Sequence, residues 1–191
     1  MFLYRIDKSL KLVLPQTYHA EAVTAVVREN LGELKLWMPW ATDEYSVESA
    51  IDYIKRNLRE LAENGNFGAL VVVDEKISGG IGFHNLDRTN KSTHIGYWLA
   101  KDAQGKGIMT RCCTVLIDYL FGDFGLNRVQ INCNVDNLRS RAIPERLGFT
   151  LEGTHRQVEL INGRLGDWAV YAMLKEDWKT NNSQPNTDDC V

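Results

Sequence analysis

A mixed α/β fold (α+β), with a mostly antiparallel central sheet flanked by helices, is what this 191-residue sequence predicts, and three observations carry it. Apolar runs of strand length cluster in a meander, at "FGALVVVD", "ISGGIGFHNL" and "THIGYWLA", joined by short polar turns. Stretches with a helical period stand before and after that meander. The last strand pattern, "FTLEGTHRQVELINGRLGDWAVYAML", folds back on itself at Asn162-Gly163, a pair suited to a two-residue hairpin turn.

The elements follow in order. "FLYRIDKSLKLVL" alternates in part and reads as an opening strand or hairpin, and "YHAEAVTAVVRENL" places Val23, Val26, Val27 and Leu31 on one helical face. In the second helix Val47, Ile51, Ile54, Leu58 and Leu61 recur at helical steps, with Ser46 as N-cap and "ENG" closing it. After the three meander strands, Met109, Cys112, Cys113, Leu116 and Leu120 form a helical stripe. "RVQINCNV" is a strand, and "LRSRAIPERLGF" is a short helix with Pro144 inside it. With 44% apolar residues the chain can bury a full core, so one domain is expected over residues 1–179. Residues 180–191, "TNNSQPNTDDCV", carry no apolar pattern and read as a disordered tail.

Composition narrows the function. A formal net charge of -3 argues against direct nucleic-acid binding through phosphate contacts. No apolar run approaches the roughly 18 residues of a membrane span, and the N-terminus lacks a basic-apolar-small signal layout, so a cytoplasmic protein is expected. Cys112 and Cys113 are adjacent on a helix, Cys133 sits in a strand and Cys190 in the tail, so no pair has metal spacing and free buried thiols are expected. His19, His84, His94 and His155 are scattered, and no metal site is expected.

Between the third meander strand and the next helix stands "QGKGIMT", two glycines astride a lysine. It is not a Walker loop, because Ala100 stands where the first glycine belongs and Gly107 follows Lys106 in place of Ser or Thr. Nor is it a dinucleotide fingerprint, since Thr110 occupies the third glycine position. Small residues at a helix start do leave unpaired N–H groups and the positive dipole end open to an anion.

The runs "GYWLAKDAQGKGIMT", "VDNLRSRAIPERLGF" and "VELINGRLGDWAVYAM" resemble the GCN5-related N-acetyltransferases (GNAT), and within them the ribosomal-protein-serine N-acetyltransferase (RimJ/RimL) branch. The pyrophosphate loop of that superfamily follows Gln/Arg-x-x-Gly-x-Gly/Ala; Gln104, Gly107 and Met109 fill those places, Met109 departing from the small residue. The resemblance extends over nearly the whole chain and is most specific over residues 94–174. It implies acetyl-CoA as cofactor. Trp98, Leu99 and Ala100 would present backbone groups to the pantetheine arm. Gln104, Gly105, Lys106, Gly107, Ile108, Met109 and Thr110 would wrap the pyrophosphate with main-chain N–H groups, Lys106 adding charge. Asn137 would meet the cofactor arm beyond the next strand, and the two strands carrying these segments would splay apart around it. By residue type alone, Trp98 reads equally as a core aromatic and Asn137 as a helix N-cap.

Acyl transfer from a thioester to an amine needs a neutral amine, a polarised carbonyl and a proton for the leaving thiolate. An α-amine needs only about 1 kcal/mol to be deprotonated at pH 7, and a lysine about 4.6. Glu159, in "QVELING", stands where the resembled branch carries an acidic residue beside the acceptor and is the expected base; His84, in a central strand, is the rival. Ser140, three residues after Asn137, is the expected proton donor, with Tyr97 and Tyr171 as alternatives. Pro144 cannot donate back to the Ser140 carbonyl, which loosens that turn.

Trp37 and Trp40, in "LKLWMPWATDE", either line the acceptor cleft or seal the edge of the core. Three readings stand open: an acetyltransferase of a protein N-terminus, by resemblance a ribosomal one; an acetyltransferase of a small amine, antibiotic or aminoacyl conjugate; and a CoA-binding module without turnover. No membrane partner is expected, and a homo-oligomer is left open.

Overall fold

One eight-stranded sheet runs through the protein, which a computed structural model describes over residues 3–182. Its strands are β1 (Leu3–Arg5), β2 (Leu10–Val13), β3 (Phe67–Val73), β4 (Lys76–Asp87), β5 (Ser92–Leu99), β6 (Arg128–Asn134), β7 (Thr150–Ile161) and β8 (Arg164–Leu174), in the order β1-β2-β3-β4-β5-β6-β8-β7. The helices are α1 (Ala20–Glu29), α2 (Leu31–Leu34), α3 (Val47–Glu63), α4 (Ile108–Phe121), α5 (Leu138–Arg146) and α6 (Lys175–Asn182).

The continuous apolar run of β3 is explained by two cores. Alternate side chains of a strand point to opposite faces. Ala69 and Val71 join Ile81, Phe83, Ile95 and Ile131 under α4, whose Cys112, Cys113, Leu116, Ile117 and Leu120 are buried there. Leu70 and Val72 face the other way, onto Val23 and Val27 of α1 and Ala50 and Ile54 of α3. Ile54 is fully buried, and removing such a side chain from water stabilises by about 1.5–3 kcal/mol. Ser46 caps α3 by accepting from the Ser49 N–H at 3.3 Å, a contact of about 1 kcal/mol. Gly65 follows the helix at φ +76°, as a C-terminal glycine should.

All neighbouring strands are antiparallel except β5 and β6, which run parallel and pair only from Ser92↔Arg128 to Ile95↔Ile131. Beyond that register β5 continues through Gly96–Leu99 and β6 through Cys133 and Asn134 without pairing to it, so the sheet splays at its centre.

The opening segment takes the hairpin alternative of the sequence reading, β1 with β2. Two local features depart from that reading. The first helical stretch breaks at Asn30 into α1 and the one-turn α2, because the Asn30 side chain donates to the Val26 carbonyl at 2.9 Å and leaves the helical path. The chain also adds α6 after the closing hairpin: Trp178 is 5% exposed and its indole N–H donates to Asp118 at 2.7 Å, one anchor doing what periodicity would otherwise signal. Residues 180–182, expected in the tail, lie in α6; the rest of that tail lies outside the described residues.

Candidate active site

The loop between β5 and α4 takes the form an anion site needs. Gly105 and Gly107 have φ of +73° and +68°, conformations that glycine adopts freely, and a Cβ at either would meet nothing within 4 Å. Gly107 is the N-cap of the fourteen-residue α4 and offers no side-chain cap, so the first-turn N–H groups face outward with the positive end of the helix dipole. Gly105, Lys106 and Gly107 are exposed, whereas Ile108 and Met109 are buried in the core and contribute only main chain at the surface. Thr110 Oγ1 accepts from Arg146 at 2.9 Å. Gln104 is engaged with protein: its amide donates to the Leu99 carbonyl at 3.0 Å, and its oxygen accepts from Arg139 at 3.2 Å. Ala100 is buried and hydrogen-bonds Ser78 through its N–H at 2.7 Å.

On the opposite face lies a cleft of about 960 Å³ that reaches the splay between β5 and β6. Its floor is the sheet face carrying Gly68, Gly82 and Gly96, three glycines in one register row across β3, β4 and β5. Trp98 lies over Gly80, where an added Cβ would come within 2.7 Å of its indole nitrogen, and packs edge-on against Trp40 at 5.9 Å between ring centroids. Trp37 and Trp40 both line this cleft, so their loop faces it rather than only sealing the core. His84 lines it too, paired across the strands with His94 at 5.7 Å between rings. Desolvation pulls the His84 imidazole below its ordinary pKa.

Ser140, Asn137 and Glu159 are brought to the same cleft. Asn137 caps α5 by accepting from the Ser140 N–H at 3.1 Å, the bond its residue type predicted. Ser140 Oγ stands 3.2 Å from Cys133 Sγ and 3.4 Å from the Tyr97 hydroxyl, which itself donates to the Ser140 carbonyl at 2.9 Å. Pro144, lacking an N–H, leaves that carbonyl without its helical partner, and Tyr97 takes the place. Burial pushes the Tyr97 hydroxyl well above its ordinary pKa and the Cys133 thiol upward, so both stay protonated at neutral pH. Tyr171 is occupied elsewhere, donating to Glu145 and accepting from Arg141 at 3.0 Å.

Glu159 is oriented by Trp168, whose indole N–H donates to it at 2.8 Å. Trp168 pairs with Asn134, at the end of β6 that runs past Ile131 without pairing to β5. Glu159 therefore stands at the splay. His84 lies four residues back along the strand from the Gly80–Trp98 row, about 13 Å at strand rise.

Three contributors escaped the sequence reading. Trp168 had no visible link to Glu159 until the hairpin register brought them together, His155↔Trp168 giving way through a bulge to Glu159↔Gly166. Arg139 and Arg146, which flank the glycine loop, are seven residues apart on α5 and so share one face, a spacing that was legible.

The loop and splay fit a coenzyme A: open left-handed glycines, an uncapped helix start, flanking arginines, and unpaired strand ends for an extended arm. Comparison with known proteins agrees. The acetyltransferase (GNAT) domain model matches residues 9–150. YdaF of Bacillus subtilis (strain 168) is 35% identical over 180 residues, covering 94% of this chain and 98% of that protein. RimL, a ribosomal L7/L12 alpha-N-protein acetyltransferase solved in complex with coenzyme A, superposes with a TM-score of 0.87 at 27% identity, over 92% of this chain and 99% of that one. The microcin C7 self-immunity acetyltransferase MccE, solved with acetyl-CoA and AMP, gives 0.84 at 30% identity, over 88% and 94%.

Proposed function

We propose that this chain, which belongs to the GNAT acetyltransferase family, acetylates the N-terminal α-amine of a protein, and that the protein is a ribosomal one. The observation that carries the reading is the convergence of Glu159 and Ser140 on one open, glycine-floored cleft at the splay. The α-amine acceptor follows from the chemistry, because a single carboxylate is a sufficient base for an amine already partly neutral at pH 7.

Acetyl-CoA, when bound, supplies an activated acetyl group as a thioester. The N–H groups of Gly105–Thr110 would hold its pyrophosphate, with Lys106, Arg139 and Arg146 adding positive charge around the loop. Gly96–Leu99, unpaired on the side facing the splay, would hold the extended arm, and a main-chain N–H there would polarise the acetyl carbonyl. Glu159, its carboxylate oriented by the Trp168 indole, takes a proton from the acceptor amine. Ser140 would give its hydroxyl proton to the leaving sulfur and take one back from solvent in the open cleft, and the Tyr97 bond to its carbonyl fixes its place across the splay.

A second reading has its own support: Trp37, Trp40 and Trp98 offer aromatic faces to a planar group, and MccE was solved with AMP. The two separate when the protein is given acetyl-CoA together with ribosomal proteins from cells lacking it, or with aminoacyl nucleotides. The proposed function requires an intact-mass gain of one acetyl group on a ribosomal protein. Acetylation of the aminoacyl nucleotide alone favours the second reading.

A further inference from the structure

The floor of the cleft holds one polar group that neither the fold nor the chemistry above uses. Asn57, on α3, lays its side-chain amide over Gly68: a Cβ built on Gly68 would come within 2.0 Å of the amide nitrogen. The amide oxygen is buried and, among the described residues, is the buried side-chain oxygen or nitrogen without a hydrogen-bond partner. A buried acceptor left unsatisfied costs on the order of 1–3 kcal/mol, so its retention in a binding cleft points to a donor that arrives with a ligand.

Position says which donor. Gly68 is joined to Gly82 and Gly96 in one register row from α3 to the splay, none with a side chain of its own, bordered by the Asn57 amide at Gly68 and by the His84 ring, 3.4 Å from where a Gly96 Cβ would stand. From Trp98 on β5 to Gly68 on β3 is two strand spacings across and two residues along, roughly 12 Å, which an extended chain covers in three to four residues. We infer that Asn57 is a specificity-determining residue for the acceptor: its side-chain oxygen accepts the main-chain N–H of the third or fourth residue of a polypeptide lying on the glycine row with its amine at the splay. The inference rests on the protein-N-terminus reading and adds a length requirement to it, since an acceptor shorter than three residues leaves the oxygen unmet.

The experiment compares kcat/KM for acetylation of a hexapeptide and a dipeptide methyl ester, which has no third nitrogen, sharing a free N-terminal Ser. Wild type should favour the hexapeptide by about 10-fold, chiefly through KM, as one added hydrogen bond implies. In Asn57→Ala the ratio should fall to near one. Gly68→Ala should do the same, because the new methyl group occupies the place of the amide. N-methylating the nitrogen of the third or fourth residue should abolish the preference in wild type and change nothing further in Asn57→Ala. A coenzyme A-induced thermal shift in each variant checks that it is folded. If wild type acetylates the peptides and Asn57→Ala keeps the wild-type ratio, the anchor is wrong and the functional reading stands. If wild type acetylates neither peptide, the functional reading falls and takes the anchor with it.

Discussion

The Tyr97 hydroxyl donates to the main-chain carbonyl of Ser140 at 2.9 Å, tying β5 to the first turn of α5 across the splay. The bond exists because Pro144 supplies no N–H to that carbonyl. Tyr97→Phe leaves it unsatisfied, so denaturant unfolding should show a loss of about 1–3 kcal/mol. Turnover should fall with it, by about 10-fold, as Ser140 loses its fixed position. Unchanged stability would mean that the bond is incidental.

Replacing Glu159 by Gln keeps the bond from Trp168 and removes the proton acceptor. At pH 7 turnover should fall by about 10 to 100-fold, near or below the usual general-base contribution because an α-amine is already partly neutral. The deficit should shrink as pH rises through about 8, where the amine deprotonates unaided. Ser140→Ala, which withholds a proton from the leaving sulfur, should show no such rescue. A pH–rate profile of both variants tests the pair, and an equal loss at every pH for Glu159→Gln would hand the role of base to His84 or a water.

The glycine loop is tested by binding. Coenzyme A at about 100 times its dissociation constant should stabilise the protein by roughly 2.7 kcal/mol, read as a rise in Tm. Gly107→Val should abolish that rise, because φ of +68° is strained for a β-branched residue and its side chain stands where phosphate approaches. Retained binding would reduce the loop to a turn.

Stability should also report the two cleft histidines. Desolvation lowers the pKa of both, and for His94 the charges of His84 and then Arg128 add to it. With folded values below the unfolded value of about 6.5, the unfolded chain binds more protons as pH falls, so stability is full above that pH and declines below it. Thermal scans between pH 7 and 5 should show a decline that is smaller in a His84→Gln, His94→Gln double variant.

Much of this was legible in the residues. The alternation and turns set out the strands, the helical step from Val47 to Leu61 and the Ser46 cap set out α3, and Asn162-Gly163 turn at φ of +50° and +74° as such a pair must. Glu159, Ser140, Asn137, Trp37, Trp40 and His84 do share one cleft, and what brings them there is long-range register that no local pattern encodes. Trp168 is the clearest case: it is nine residues from Glu159, and only the bulged hairpin lets its indole reach the carboxylate. Asn57 was illegible for a related reason, since its partner surface is an absent side chain, Gly68, on another element. In α6 a single tryptophan replaces the apolar stripe on which a sequence reading depends.

The central claim is transfer of acetyl to an α-amine at the end of a polypeptide, and site-resolved mass spectrometry tests it most directly. The protein is given acetyl-CoA, one peptide with a free N-terminal Ser and internal lysines, and the same peptide with its N-terminus blocked. The account predicts one acetyl group on the first residue of the free peptide and none on the blocked one. Comparable acetylation of the internal lysines in both would contradict it.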